Sequence, residues 1–237
     1  MSDYTANRAP GIRVMPVGRS GEPVLVIDDV LTDPDRLVAA ACRETSWNEL
    51  PPGGYPGRRA GLPEDYVRTI LRRIDPVIRQ HLFDTPQRLD RFECAFSLVT
   101  QKPSTLQGLQ RIPHIDIARP GRVAILHYLC APAFGGTAFF RQSSTGFEQI
   151  GPDERVRYLD ARRRDLAALG EEDRYPGERT PGYERTGFVE ARFNRIAVYR
   201  SFTLHSGIVE DAALLSEDPA WGRLTANFFV DYLPRDG

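Results

Sequence analysis

Apolar and polar positions change rhythm once along the chain. In the first third the run "PVLVIDDVL", residues 23–31, is β-branched and bounded by turn residues, which predicts a strand. Asp33 then stands where a helix cap belongs, Pro34 at the first helical position, and "RLVAAACRE" supplies the body. From Glu64 the segment "EDYVRTILRRIDPVIRQHL" sets Val67, Ile70, Leu71, Ile74, Val77 and Ile78 at helical spacing, with a kink predicted at Pro76. Between the two helices "NELPPGGYPGRRAGLP" breaks all periodicity and predicts a loop.

From Arg88 onward the rhythm is that of strands: "RFECAFSLVTQ", "VAILHYLC", "GTAFFRQ", "GFVEARF", "RIAVYRSF" and "RLTANFFVDYL", separated by Gly, Pro and Asn. Helices followed by many short strands predict an α+β domain centred on a double-sheeted antiparallel roll. Residues 152–182 interrupt it with a helical run, "PDERVRYLDARRRDLAALG", and a polar loop, "EEDRYPGERTPGY", which together read as an insertion between strands. At 237 residues one domain accounts for everything: 1–87 as N-terminal strand and helices, 88–232 as the roll.

Composition excludes several function classes. A net charge of -1 gives no field to gather nucleic acid or an anionic membrane. The start "MSDYTANRAPG" lacks a signal pattern, and no apolar run approaches the roughly 20 residues that span a bilayer, so a soluble cytoplasmic protein is expected. Cys42, Cys94 and Cys130 are odd in number and lie in apolar segments, which predicts buried thiols in a reducing compartment.

The candidate chemistry starts at "RIPHIDIARPGRVAILHYLC", residues 111–130. On a strand, side chains i and i+2 point the same way, so His114 and Asp116 can offer an imidazole nitrogen and a carboxylate oxygen to one ion. A third ligand must come from elsewhere. His81, near the end of the second helix, fits a cation beside C-terminal carbonyls. His127 and Tyr128 are neighbours on one strand and face opposite ways, with Tyr128 expected inside and His127 outside or against the helices. His205, where "YRSFTLHSGIV" meets Ser206-Gly207, suits a ligand at the mouth of a roll. Two His and one carboxylate hold one face of an octahedral ion and suit non-haem Fe(II); zinc hydrolysis can use similar residues. In "GRLTANFFVDY" alternation sets Arg223, Thr225 and Asn227 on one face, where Arg and Thr form a clamp for a carboxylate.

In that order, His114-x-Asp116, Arg122 leading into "VAILHYLC", "GGTAFF" at 135–140, His205 and Arg223-x-Thr225 resemble the Fe(II) and 2-oxoglutarate-dependent oxygenase superfamily, particularly its prolyl-4-hydroxylase-like branch. The resemblance covers roughly residues 88–232, and "PVLVIDDVLTDPDRLVAAA" resembles the strand and helix that open such domains. It departs from the usual pattern in the long segment "SGIVEDAALLSEDPAWG" between His205 and Arg223, and in the insertion.

The resemblance implies a double-stranded β-helix (jelly-roll) with N-terminal supporting helices, Fe(II) held by His114, Asp116 and His205, and 2-oxoglutarate and O2 as co-substrates. It further implies Arg223 and Thr225 on the far carboxylate, with Tyr128 donating to it. Hydroxylation of an amino-acid-like or other small molecule, with release of succinate and CO2, is the implied outcome. Asp116 argues against halogenation, for which related enzymes carry Gly or Ala. Tyr55, Arg58 and Arg59 in the early loop, and Arg174, Tyr175, Tyr183 and Arg185 about the insertion, are candidate substrate contacts that would suit a carboxylate. A zinc-dependent hydrolase and a non-catalytic binding module on the same fold are the alternatives, and the oligomeric state is left open.

Overall fold

A computed structural model describes residues 4–51, 53–170 and 173–235; Glu171 and Glu172, in the predicted insertion, lie outside the described residues. The strands are β1 (Gly11–Val17), β2 (Glu22–Asp28), β3 (Asn48–Glu49), β4 (Gly57–Ala60), β5 (Gln87–Val99), β6 (Arg122–Tyr128), β7 (Gly136–Gln142), β8 (Tyr183–Glu190), β9 (Arg195–Arg200), β10 (His205–Ile208) and β11 (Arg223–Pro234). Eight form one sheet in the order β1-β2-β9-β6-β11-β5-β4-β3, and three form a second in the order β10-β7-β8. Every pair of neighbours is antiparallel.

Three apolar layers follow from side-chain alternation on these strands. On β6, Val123 and Ile125 join Leu224, Ala226, Phe228 and Val230 of β11 under the helices α1 (Asp35–Arg43) and α2 (Glu64–Leu82). The intervening residues Ala124 and Tyr128 face the second sheet and meet Phe139, Val189 and Tyr199 between the sheets. A third cluster, with Ala138, Phe140 and Leu204, is covered by Tyr158 of the insertion's helix α3 (Arg155–Ala167). Each fully buried Phe or Ile in these layers contributes about 1.5–3 kcal/mol of apolar transfer.

Several local expectations change. The edge strand β1 was not predicted, because it is largely exposed and carries no apolar alternation; its hairpin with β2 turns through Gly18 and Gly21 at φ +69° and +68°. The early loop contains the short strands β3 and β4, which exist by pairing with each other and with β5. Asp33 does not cap α1. It accepts from Arg36 Nε at 3.0 Å, and Pro34 takes the cap position. Of the cysteines, all free, only Cys130 is buried; Cys42 is exposed because Leu37 and Ala41 take the inward face of α1, and Cys94 is half-buried. No helix among the described residues is long and apolar enough to cross a membrane.

His127 faces the helices, as alternation predicts, and is fully buried. Asn194 Oδ1 accepts from the Leu31 N–H at 3.0 Å and lies 3.3 Å from His127 Nε2. Since Oδ1 is an acceptor, Nε2 carries the imidazole proton and Nδ1 accepts from the Tyr66 hydroxyl at 2.9 Å. Burial depresses this imidazole from 6.5 to about 4. The unfolded chain therefore binds a proton that the folded one refuses, so this contribution is complete above pH 6.5 and is lost as pH falls toward 4. His127→Gln is expected to be less stable than wild type at pH 7 in urea unfolding, with the gap narrowing steadily between pH 6.5 and 4.

Candidate metal centre and its cavity

The segment bearing His114 is not a strand. It is held as an isolated antiparallel bridge: the His114 N–H donates to the His205 carbonyl at 2.8 Å, and the His205 N–H returns a bond to the His114 carbonyl at 2.8 Å. Two residues on, the Asp116 N–H donates to Ser201 O at 3.0 Å. These bonds lay residues 114–116 beside the chain entering β10, and side chains two apart converge as predicted. The ligating atoms of His114, Asp116 and His205 all lie within 4.8 Å of one another.

The geometry suits a divalent cation. The imidazole centroids of His114 and His205 are 4.7 Å apart, and His205 Nε2 lies 3.8 Å from Asp116 Oδ1. His205 Nδ1 is 2.9 Å from the Thr203 carbonyl, which can only accept, so Nδ1 donates and the Nε2 lone pair is left for a metal. Burial depresses both imidazoles to about 4, opposed for His114 by the nearby Asp116, so both are neutral at pH 7. Loss of hydration raises the Asp116 carboxyl above its usual range, with His114 pulling it back.

A cavity of about 350 Å³ opens over this cluster, at the small end of ordinary ligand sites. His114, Asp116 and Arg223 line it together. Arg223 is 4 % exposed and donates to the Phe134 carbonyl from Nε at 3.0 Å and to the Gly136 carbonyl from Nη2 at 2.8 Å. It forms no ion pair among the described residues, and Nη1 has no partner there. The "GG" of 135–136 fits a crowded turn beside those carbonyls: Gly135 has φ +87°, and a Cβ at Gly136 would lie 2.1 Å from Val189 O of β8. A Cβ at Gly207 would come within 3.6 Å of Arg223 Nη2, so glycine there leaves the guanidinium open to the cavity. The long segment between His205 and Arg223 does not displace the arginine, because the register of β11 on β5 sets it opposite Val99, itself on the cavity wall.

Thr225 and Tyr128 face the same inter-sheet space but lie behind the wall, fully buried. The Thr225 hydroxyl donates to Ser97 O at 3.3 Å, and the Tyr128 hydroxyl is 2.6 Å from Thr137 Oγ1. Burial pushes Tyr128 up to about 12, so it remains a proton donor. Of the seven candidate substrate contacts, Tyr55, Arg59 and Tyr175 line the cavity. Arg58 turns away to Glu217 at 3.1 Å, Arg185 reaches Glu178 at 3.2 Å, Arg174 donates to Arg179 O, and Tyr183 packs under α3. His81 sits in the last turn of α2.

Sequence reasoning missed Tyr199, whose ring centroid is 4.6 Å from that of His205 and 5.2 Å from that of Phe139. It also missed the orienting Thr203 carbonyl. Alternation along "RIAVYR" held the signal for Tyr199, since Ala197 and Tyr199 share the inward face.

The chain has the fold of the iron and 2-oxoglutarate-dependent oxygenases. It superposes on SnoN, the non-haem α-ketoglutarate-dependent epimerase of nogalamycin biosynthesis, with a TM-score of 0.50 and 14 % identity over 90 % of this chain and 78 % of that one. HygX from Streptomyces hygroscopicus, with nickel and 2-oxoglutarate bound, gives 0.46 and 15 % over 88 % and 82 % of the two chains. A Pseudomonas putida prolyl-4-hydroxylase gives 0.46 and 16 % over 90 % and 94 %. The particular family is narrower: the chain belongs to DUF6445, described as a family of unknown function, whose model matches residues 8–230. No curated protein matches the chain.

If the three side chains act as a chelate, Asp116→Ala is expected to weaken Mn(II) or Fe(II) binding by more than about a hundredfold, beyond the 10- to 100-fold that loss of an outer-shell partner costs. Calorimetric titration checks it, with far-UV circular dichroism showing an intact fold.

Proposed function

We propose that this chain is an Fe(II)- and 2-oxoglutarate-dependent oxygenase that acts on a small molecule. The observation that carries the reading is Arg223: a nearly inaccessible guanidinium, satisfied only by backbone carbonyls, on the wall of the cavity that His114 and Asp116 line beside His205. A buried cation without an anion is costly, and a dicarboxylate co-substrate is the partner that would complete it. A zinc hydrolase on the same cluster does not require a co-substrate dicarboxylate, so the reading rests on Arg223 finding one.

The alternation of the chain between the sheets supports a double-stranded β-helix. From β5 it crosses to the His114 bridge beside β10, returns to β6, crosses to β7 and β8, returns to β9, crosses to β10 and ends in β11. We read residues 1–237 as a single oxygenase domain with its core at 88–232 and its insertion at 152–182.

Iron held by the three side chains, with 2-oxoglutarate and O2, would supply oxidation of an unactivated C–H bond with release of succinate and CO2. His114, Asp116 and His205 would hold the ion beside the cavity. Arg223 would take the far carboxylate. Tyr128 would assist it if Thr137 donates to the Tyr128 oxygen, since the phenol proton is then free for a carboxylate. Thr225 would do so by turning from the Ser97 carbonyl. Tyr199, fully withdrawn from water beside His205, keeps that flank dry. Hydroxylation is the outcome we favour, and an aspartate in the ligand set is consistent with it.

Purified protein with Fe(II), O2 and 2-oxoglutarate is expected to release succinate, slowly even without substrate. Arg223→Ala should raise the 2-oxoglutarate KM by at least about tenfold, the scale of one charge-assisted contact. Succinate release that is absent in wild type, or equal in wild type and Arg223→Ala, would sink this reading.

A further inference from the structure

The cavity contains a second unpaired guanidinium. Arg59 lies on β4, whose register with β5 sets it opposite Ser97, and alternation sends Arg58 away from the cavity to its carboxylates while Arg59 turns inward. The Arg59 carbon Cζ sits 5.0 Å from the centroid of the Tyr55 ring. That contact holds the guanidinium over the ring and leaves its N–H groups to find an acceptor elsewhere. The Nε atom is buried and has no hydrogen-bond partner, and Arg59 forms no ion pair among the described residues. The Tyr55 hydroxyl is buried beside the Thr225 hydroxyl, which donates to Ser97 O and can accept from it.

The loop that carries Tyr55 is held in place rather than free. Gln110 Nε2 donates to Gly54 O at 2.9 Å and to Gln101 Oε1 at 3.0 Å, and the Tyr175 hydroxyl donates to Gln101 O at 2.7 Å. Tyr175 therefore brings the returning arm of the insertion over the cavity and offers its ring, its hydroxyl being already used. The wall between is apolar, with Val99, Leu109, Ile115 and Val209.

Charge on the wall points the same way. Asp116 is the one carboxylate among the lining residues, against the two guanidinium groups Arg59 and Arg223. Histidines that bind a divalent cation do so as neutral imidazoles. A doubly charged cation and a doubly charged keto acid cancel, which leaves the wall with the single excess positive charge it had before. One carboxylate on a second ligand would neutralise it.

We propose that Arg59, steadied by Tyr55, is the anchor for a singly charged carboxylate on the substrate, and that the substrate class is a small monocarboxylic acid with an apolar body lying between the Tyr55 and Tyr175 rings. This rests on the oxygenase reading for the identity of Arg223's ligand. It makes Arg59 a specificity residue separate from the co-substrate clamp.

The test uses the full chain loaded anaerobically with Fe(II) and saturated with 2-oxoglutarate. The probes are N-acetyl-L-amino acids with apolar side chains, each paired with its neutral primary amide, and calorimetric dissociation constants are read. Wild type is expected to bind at least one acid tenfold or more tightly than its amide. Arg59→Gln should bring that acid to within about threefold of the amide while leaving the dissociation constant for 2-oxoglutarate unchanged, Arg59→Lys should restore part of the preference, and Arg58→Gln should keep all of it. Circular dichroism confirms the fold of each variant. The proposal is overturned if no acid is preferred over its amide, if Arg59→Gln keeps the preference, or if it weakens 2-oxoglutarate as much as the acid. A wild type that binds no 2-oxoglutarate overturns the oxygenase reading instead, and the acid-against-amide comparison on the metal-loaded protein then still decides Arg59.

Discussion

The site depends on a pair of backbone hydrogen bonds. His114 and His205 exchange N–H···O=C bonds across an isolated bridge, so two imidazoles far apart in sequence face each other because their main chains are tied. The bond from Asp116 N–H to Ser201 O then fixes the carboxylate two positions on, and Ser201 N–H is itself tied to Arg122 O at the start of β6. Side-chain position at the cluster is therefore inherited from the sheets. A local adjustment is added by the Thr203 carbonyl, which sets the tautomer of His205.

The same dependence explains what could be read in the sequence. On β6 and β11 each face has a different neighbour, helices on one side and the second sheet on the other, so alternation carried true information. His127 was separable from Tyr128, and Arg223 from Leu224, on parity alone. His114-x-Asp116 was legible for a related reason, since extended backbone points i and i+2 together whether or not a ladder continues. Parity could not say how deep a side chain sits. Thr225 and Tyr128 share the face of Arg223 yet stop behind the wall, because their hydroxyls already bond to Ser97 O and Thr137.

Other features were invisible because they exist only through long-range pairing. β3 and β4 are two and four residues long and lie in a stretch rich in Pro and Gly, so no local pattern marks them. Their place is set by β5, and with it the opposite fates of Arg58 and Arg59. The edge strand β1 lacks alternation because most of it is exposed. For the insertion, the helix was legible, but nothing in "DRYPGER" indicates that Tyr175 returns across the sheet to donate to Gln101 O.

These two kinds of feature divide by role. The His114, Asp116 and His205 cluster and Arg223 sit on or beside strands of the two-sheeted core, where register leaves little freedom. Arg59 sits on β4, which is laddered to β5, while the Tyr55 loop and the Tyr175 arm of the insertion are joined to the cavity through Gln110 and Gln101. Loops and edges can change without disturbing the ladder that aligns the histidines, so a fold of this kind can keep its reaction chemistry while altering what it admits. The two cavity guanidinium groups follow that division: Arg223 lies deep in the core and Arg59 on the strand added beside β5, so the roles proposed for them can change independently.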